Sequence, residues 1–167
     1  MSEPTLSMPA SLARRPQYNG LPIPFMSPID AAGRPMFSID DELLKIKVIK
    51  DRLCGLCGEP MGQWVGFIGE QANKDARIFQ QPGMHVECLL YASQVCPYIA
   101  NPGYQVRSKV PTNTSQPTVL INPEVKDDPR PERMLIYVTS EYKLVANGQG
   151  VAVEVAPCKK IIWIDRV

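Results

Sequence analysis

Four residues with metal-ligand spacing constrain this chain more than any other feature of its sequence. Cys54 and Cys57 form a C-x2-C pair, and after a gap of 27 residues His85 and Cys88 form an H-x2-C pair. A glycine follows each cysteine of the first pair, so the backbone can curl into a turn that presents two sulfurs together. Residues three apart share one face of a helix, which predicts the second pair in the first turn of a helix. Three sulfurs and one imidazole make the closed set of a structural zinc site.

We therefore expect one structural zinc ion per chain, held by Cys54, Cys57, His85 and Cys88. A redox dithiol at the first pair is the competing interpretation, and the glycine-rich turn disfavours it because such dithiols sit in a thioredoxin-like strand–helix context. A total of five cysteines, an odd number, also disfavours a disulfide framework.

Charge and hydropathy limit the compartment and the partners. Eighteen basic and seventeen acidic residues leave a net charge of +1, without the basic surplus typical of non-specific nucleic-acid binding. No apolar run is long enough to span a bilayer, and residues 1–15 lack the apolar stretch of a secretory signal. These features predict a protein of the reducing cytoplasm, where closely spaced cysteines more often bind metal than form disulfides.

The seventeen prolines help to divide the chain into five predicted parts. Seven lie in residues 1–38 and seven in residues 97–131, and proline disfavours helix at its own position and at the preceding one. The predicted parts are a flexible N-terminal tail (1–20), an extended hairpin with a short helix (21–53), a zinc-binding unit (54–100), a proline-rich connection (101–132) and an antiparallel sheet (133–167).

Local patterns predict the elements of the second part. Gly33 predicts a turn at Ala31–Arg34 between two extended segments. DELLKIKVIKDR predicts a helix capped by Ser38 or Asp40, with Leu43 and Ile46 at helical spacing. Strand is the alternative for KIKVI, whose alternation is equally good.

The third and fifth parts together predict an α+β fold. WVGFIG and ARIF read as two strands of a zinc-bound hairpin joined by the polar loop EQANKD, and MHVECLLYASQVC reads as the following helix. Trp64, Phe67 and Phe79 are expected to fill the core between hairpin and helix. In residues 133–167, alternating valines and the turn pair Asn147-Gly148 predict a hairpin, and KIIWI a further strand, which gives an antiparallel meander of three or four strands.

A turn-borne ligand pair, a hairpin and a helix-borne pair in this order resemble the treble-clef zinc finger family, over residues 54–96. The resemblance implies a metal site and no particular activity, since treble clefs serve proteins, nucleic acids and nucleases alike. The chain is also similar to a group of uncharacterised small zinc proteins encoded by bacteriophages and prophages. The similar stretches are LPIPFM, GRPMF, RLCGLCGEPMG, PGMHVEC, YASQVCPYIANPG and a terminal hairpin ending in a tryptophan strand. This second resemblance implies a bacterial host cytoplasm and an accessory role.

The histidine count argues against catalysis. His85 is the only histidine, and its use as a zinc ligand leaves no general base and no Ser-His or Cys-His nucleophile pair. A treble-clef nuclease of HNH type needs histidines for a second, catalytic metal. The H-x-E of zinc deaminases is echoed at His85-Val86-Glu87, but in those enzymes P-C-x-x-C follows that element, and here the C-x-x-C pair precedes it. We expect no catalytic residue, with Glu87 facing solvent.

The two remaining cysteines are not expected to bind the metal. Cys96 lies at the predicted helix end and is expected to pack as an apolar residue, and Cys158 has no partner in sequence. The functional hypothesis is a phage-type accessory protein whose zinc holds a surface for a macromolecule, with a host or defence protein favoured. A nucleic-acid-binding zinc protein is the alternative, and an HNH-like nuclease the second alternative.

Overall fold

A computed structural model of the chain describes residues 7–36, 39–95, 119–121, 133–147 and 150–165. These residues form an α+β fold in which all the strand pairings are antiparallel, as predicted. Their helices are α1 (Ala10–Ala13), α2 (Glu42–Lys50), α3 (Gln71–Ala76) and α4 (Val86–Val95). Their strands are β1 (Gln17–Tyr18), β2 (Leu21–Pro22), β3 (Ile39–Asp41), β4 (Val65–Gly69), β5 (Ile78–Phe79), β6 (Val119–Ile121), β7 (Arg133–Thr139), β8 (Tyr142–Asn147), β9 (Gly150–Val155) and β10 (Lys160–Asp165). None of these helices is long and apolar enough to cross a membrane.

The central sheet has the strand order β10-β7-β4, and both of its faces are covered. Residues paired directly across antiparallel strands point to the same face, so the register defines two rows of side chains. The row Phe67–Tyr137–Ile161 lies on one face and the row Ile68–Ile136–Ile162 on the other. The middle strand β7 is therefore apolar at successive positions instead of alternating, as a strand buried on both faces requires.

A second sheet covers the first of these faces. Its order is β5-β9-β8, and α2 adds Ile49 to the core between the two sheets. Phe67, Phe79 and Tyr137 meet there, with ring centres 5.6 Å apart for the phenylalanine pair and 5.4 Å apart for Phe79 and Tyr137. Both phenylalanines are fully buried, as predicted, but they fill the core between the two sheets and not one between a hairpin and α4.

The opposite face of the central sheet carries α4 and the cysteine-rich turn. Leu89 of α4 packs with Ile136 of β7 in a cluster that also contains the buried cysteines 54, 57 and 88. Leu12 of α1 belongs to the same cluster and is 2% exposed. Part of the segment predicted to be a flexible tail thus contributes to the core, because Leu12 covers an apolar surface there.

The β8–β9 hairpin and the early turns follow the sequence signals. β8 and β9 pair in register up to Asn147 opposite Gly150, on either side of the predicted hairpin turn. Gly33 adopts a φ of 80° in the predicted turn, and the Ile29–Pro35 bridge closes the two extended segments. A turn at Asn19-Gly20, whose φ angles are 53° and 78°, joins β1 to β2; the same dipeptide signal was present in the sequence within the predicted tail.

Strand pairing differs from the prediction in two places. β4 and β5 do not form a hairpin, because β4 pairs with β7 and β5 pairs with β9. The connection EQANKD is not a plain loop but contains α3, which begins with a capping box between Glu70 and Asn73. β4 instead contacts the segment before α4 through two backbone hydrogen bonds between Gly66 and Met84. The C-terminal strands do not form one meander, because β7 and β10 join the central sheet and β8 and β9 the second sheet.

Helix α2 confirms the prediction of helix, not strand, for KIKVI, but its N-cap and its buried face differ from those predicted. Asp41 is the N-cap, and its carboxylate accepts a hydrogen bond from the Leu44 amide at 3.1 Å. Ser38, one of the two predicted caps, lies outside the described residues. Val48 and Ile49 are buried, whereas Leu43 is 63% exposed because the helix turns that side away from the sheets.

Candidate metal centre

The structure brings together the four side chains that the sequence predicts as ligands. The sulfurs of Cys54, Cys57 and Cys88 and a ring nitrogen of His85 all lie within 4.8 Å of one another. No disulfide joins these cysteines. Nδ1 of the histidine is 3.2 Å from the Cys57 sulfur and 3.8 Å from the Cys88 sulfur. A tetrahedral zinc site with bonds of about 2.0–2.3 Å places such atoms about 3.5–3.8 Å apart, so the four donors can hold a metal ion.

The first pair is presented by a tight turn whose shape depends on glycine. The Gly58 amide donates to the Cys54 carbonyl at 2.8 Å, and Gly58 adopts a φ of 78°. The Cys57 amide points back at the Cys54 sulfur, 3.5 Å away. A bridge between Leu53 and Pro60 closes the base of the turn. Two sulfurs are therefore held on one side of a turn whose positive φ at position 58 favours glycine.

The second pair is presented at the start of α4. His85 directly precedes the helix, its carbonyl accepts from the Leu89 amide at 3.0 Å, and Cys88 lies in the first turn. The His85 amide points at the Cys54 sulfur at 3.3 Å, so the two pairs are already joined by a hydrogen bond to sulfur. The positive end of the helix dipole favours a thiolate at this position.

The Pro60 carbonyl orients the imidazole of His85. Nε2 of His85 lies 3.1 Å from the carbonyl oxygen of Pro60, which can only accept a hydrogen bond. Nε2 therefore carries the proton, and Nδ1 directs its lone pair at the sulfurs. Metal-bound histidines usually donate their second ring N–H to such an oxygen, which fixes the tautomer and the ring plane.

The crowded sulfurs shift one another's proton affinity in opposite directions. Hydrogen bonds with Cys54 and then with Cys88 lower the pKa of Cys57 far below its ordinary value. A hydrogen bond with Cys57 raises the pKa of Cys54, and hydrogen bonds with Cys54 and Cys57 raise the pKa of Cys88. Without a cation the cluster thus favours one thiolate that accepts from two thiols. A bound dication would favour all three thiolates at once.

The other candidates from the sequence lie elsewhere or outside the described residues. Glu87 is exposed, as expected for the first turn of α4. Cys158 packs against the core on the opposite face of the central sheet, away from the cluster. Trp64 is not a core residue: it is 40% exposed, with the Lys159 ammonium 4.1 Å from its ring centre. Cys96 and most of the proline-rich connection (101–132) lie outside the described residues.

Sequence reasoning missed the residues that support the ligands. The Ser11 hydroxyl lies 3.7 Å from the Cys88 sulfur, and the Pro60 carbonyl fixes the histidine ring. A backbone carbonyl leaves no sequence signal. Ser11 lies 77 positions from Cys88, and nothing in the local pattern connects them.

Comparisons of the chain with protein-family models, with curated proteins and with solved structures find no match.

Proposed function

We propose that the cluster binds one zinc ion as a structural centre. The observation that carries this proposal is the set of four convergent donors, three sulfurs and one oriented Nδ1, in a mostly buried site without a disulfide. Soft thiolates with one imidazole in a tetrahedral arrangement suit zinc above the hard divalent cations. The cysteine turn and helix α4 support a treble-clef-like arrangement, which is part of the proposal, although β4 and β5 do not pair as its hairpin.

The proposed role of the zinc is non-catalytic. Four protein donors leave no coordination position for water or substrate, whereas catalytic zinc keeps one position open. The chain's only histidine supplies one of these donors and uses its other nitrogen on the Pro60 carbonyl. An HNH-like nuclease would need further histidines, so this alternative has the least support.

We propose that the protein is a phage-type accessory protein that binds a protein partner in the bacterial host cytoplasm, such as a host or defence protein. The sequence resemblance to phage-encoded zinc proteins supports the setting, and the net charge of +1 supports protein over nucleic acid. Among the described residues β10 is an outer strand of the central sheet, and Trp163 on it is 38% exposed, which gives a surface of the kind that protein partners use. Tryptophan is enriched where interfaces concentrate their binding energy.

A nucleic-acid-binding role is the second candidate, and one observation favours it. Trp64 and Trp163 are exposed tryptophans, each with a cation over its ring: the Lys159 ammonium on Trp64 and the Arg133 guanidinium on Trp163, both at 4.1 Å. Aromatic rings beside cations are what single-stranded nucleic acids stack upon. A protein partner captured from host lysate should survive nuclease treatment and moderate salt, whereas a nucleic-acid ligand should be lost to both.

The zinc proposal is tested by metal analysis of the purified full chain. We expect about one zinc per chain, and loss of zinc together with folding in Cys57→Ser and in His85→Ala. Cys158→Ser is the matched control, since this cysteine lies on the other face of the sheet, and it should keep the zinc. Full zinc and native circular dichroism in both ligand variants would contradict the proposal.

A further inference from the structure

The segment from Ser11 to Met26 lies over the cysteine turn and contacts it at several points. The Ser11 hydroxyl lies 3.7 Å from the Cys88 sulfur, and Leu12 belongs to the buried cluster that contains the three ligand cysteines. Further along, the Phe25 amide donates to the Leu56 carbonyl at 2.9 Å and the Met26 amide to the Gly55 carbonyl at 3.1 Å. Side chains and backbone of one continuous segment thus enclose the turn between the first two ligands.

Of the two arginines in this segment, Arg14 pairs with Glu59 on the surface, and Arg15 is the one that stacks over the cysteine turn. Its Nε donates to the Ile23 carbonyl at 3.0 Å, and its guanidinium lies 5.4 Å from the centre of the Phe25 ring. Phe25 in turn packs on Gly58, so the guanidinium is held over the turn that contains Cys57. Burial lowers the pKa of Arg15, and the neighbouring Cys57 thiolate opposes that shift. The guanidinium remains charged, because an arginine pKa stays far above neutrality.

We propose that this segment provides two outer-shell partners of the metal centre: Ser11 donates a hydrogen bond to the Cys88 thiolate, and Arg15 supplies the counter-charge of the metal–thiolate cluster. This inference rests on the proposed zinc site. It adds two positioning residues, which act on the metal through the ligands and do not touch it.

The charge balance of the site explains why such residues are needed. Three thiolates and a neutral imidazole around a dication leave one uncompensated negative charge, in a site where burial makes an unpaired charge expensive. The Cys54 sulfur is stabilised by two backbone amides, those of Cys57 and His85. The Ser11 hydroxyl lies beside the Cys88 sulfur. Besides Cys54 and Cys88, the Ser11 hydroxyl and the Glu59 amide lower the pKa of Cys57. Arg15 adds a full positive charge beside these groups, so two of the sources of stabilisation come from the N-terminal segment.

The test measures the zinc dissociation constant of the full-length protein by competition with a chelator of known affinity. Loss of an outer-shell partner typically weakens metal binding about 10- to 100-fold. We therefore expect Arg15→Gln and Ser11→Ala each to raise the dissociation constant by about 10-fold or more. Arg14→Gln is the matched control: it removes the adjacent arginine, which is 62% exposed and pairs with Glu59 on the surface, and it should stay within about threefold of wild type.

Conservative variants separate a charge effect from a packing effect. Arg15→Lys keeps the positive charge but cannot reproduce the planar stacking on Phe25, so it should recover most of the zinc affinity if charge is what matters. Ser11→Thr keeps the hydroxyl and should do the same for the hydrogen bond. If Arg15→Lys binds zinc as weakly as Arg15→Gln, Arg15 acts by packing and its proposed role is wrong.

Failure of this inference is distinguishable from failure of the zinc site itself. If wild type takes up no zinc, the proposed function fails. If wild type binds one zinc while Arg15→Gln and Ser11→Ala bind it as tightly as Arg14→Gln, the metal site stands and the outer-shell assignment is overturned.

Discussion

Gly58 and Gly33 share a left-handed backbone, with φ angles of 78° and 80°, but differ in their surroundings. A Cβ added at Gly58 would lie 2.5 Å from Cδ2 of Phe25, whereas a Cβ added at Gly33 would meet nothing within 4 Å. Alanine in this conformation costs about 1–2 kcal/mol of backbone strain at either position. Only Gly58→Ala adds a steric clash, and overpacking of this kind costs about 1–3 kcal/mol more. We expect Gly58→Ala to destabilise by about 2–5 kcal/mol and Gly33→Ala by about 1–2 kcal/mol.

The assay is urea denaturation of both variants at a fixed free zinc concentration, because zinc bound to the native state contributes to the apparent stability. The difference between the two variants isolates the clash with Phe25. A double variant, Gly58→Ala with Phe25→Leu, should recover part of that difference, since the smaller side chain leaves room for the methyl group. Equal destabilisation in Gly58→Ala and Gly33→Ala would refute the reasoning, because the close contact of Phe25 with Gly58 would then add nothing to the cost of the substitution.

Three further predictions follow from burial and protonation. Leu12→Ala should lower the free energy of unfolding by about 2–5 kcal/mol, as a core leucine does, while Leu43→Ala at an exposed position should change it by less than about 0.5 kcal/mol; urea denaturation measures both. Tyr142→Phe should be neutral or stabilise by up to about 1 kcal/mol in the same assay, because the buried Tyr142 hydroxyl has no hydrogen-bond partner among the described residues and the ring contact with Arg52 is kept. Zinc affinity should rise with pH, because the pKa values of Cys54 and Cys88 are raised in the metal-free cluster and both thiols must lose their protons when zinc binds. Calorimetry in buffers of different ionisation enthalpy should find about two protons released per zinc. Zinc binding without proton release would contradict this prediction.

The parts of the fold that depend on local pattern could be predicted from the sequence. The C-x2-C and H-x2-C spacings located the four donors because each pair is held by one short element, the glycine turn or the first turn of α4. The capped helix α2 and the β8–β9 hairpin likewise depend on residues next to one another in the chain. In each case the interaction that fixes the element spans a few residues, so the sequence pattern contains it.

Strand pairing could not be predicted, because it is set by contacts between distant residues. β4 is as good a strand beside β5 as beside β7, and only the packing of both faces of β7 decides between them. The capping box at Glu70 and Asn73 was also missed, since it reverses the usual order in which a short polar residue precedes an acidic or amide one. The core position of Leu12 is of the same kind, because the few apolar residues of the N-terminal segment show no periodicity that reveals its burial.

The composition of the core on the α4 face explains why a metal ion suits this position. The centre of that cluster is formed by the cysteines themselves: Cys54 and Cys88 are fully buried and Cys57 is 5% exposed. Sulfurs in this number cannot simply pack as apolar groups, because their mutual hydrogen bonding already favours ionisation of Cys57. Zinc would stabilise all three thiolates at once, so the sulfurs would act as ligands and no longer compete for protons. A structural zinc contributes about 10–16 kcal/mol in small modules, which is comparable to the whole stability of a domain. The ion would then connect three segments: the cysteine turn, the start of α4 and, through Ser11 and Arg15, the N-terminal segment.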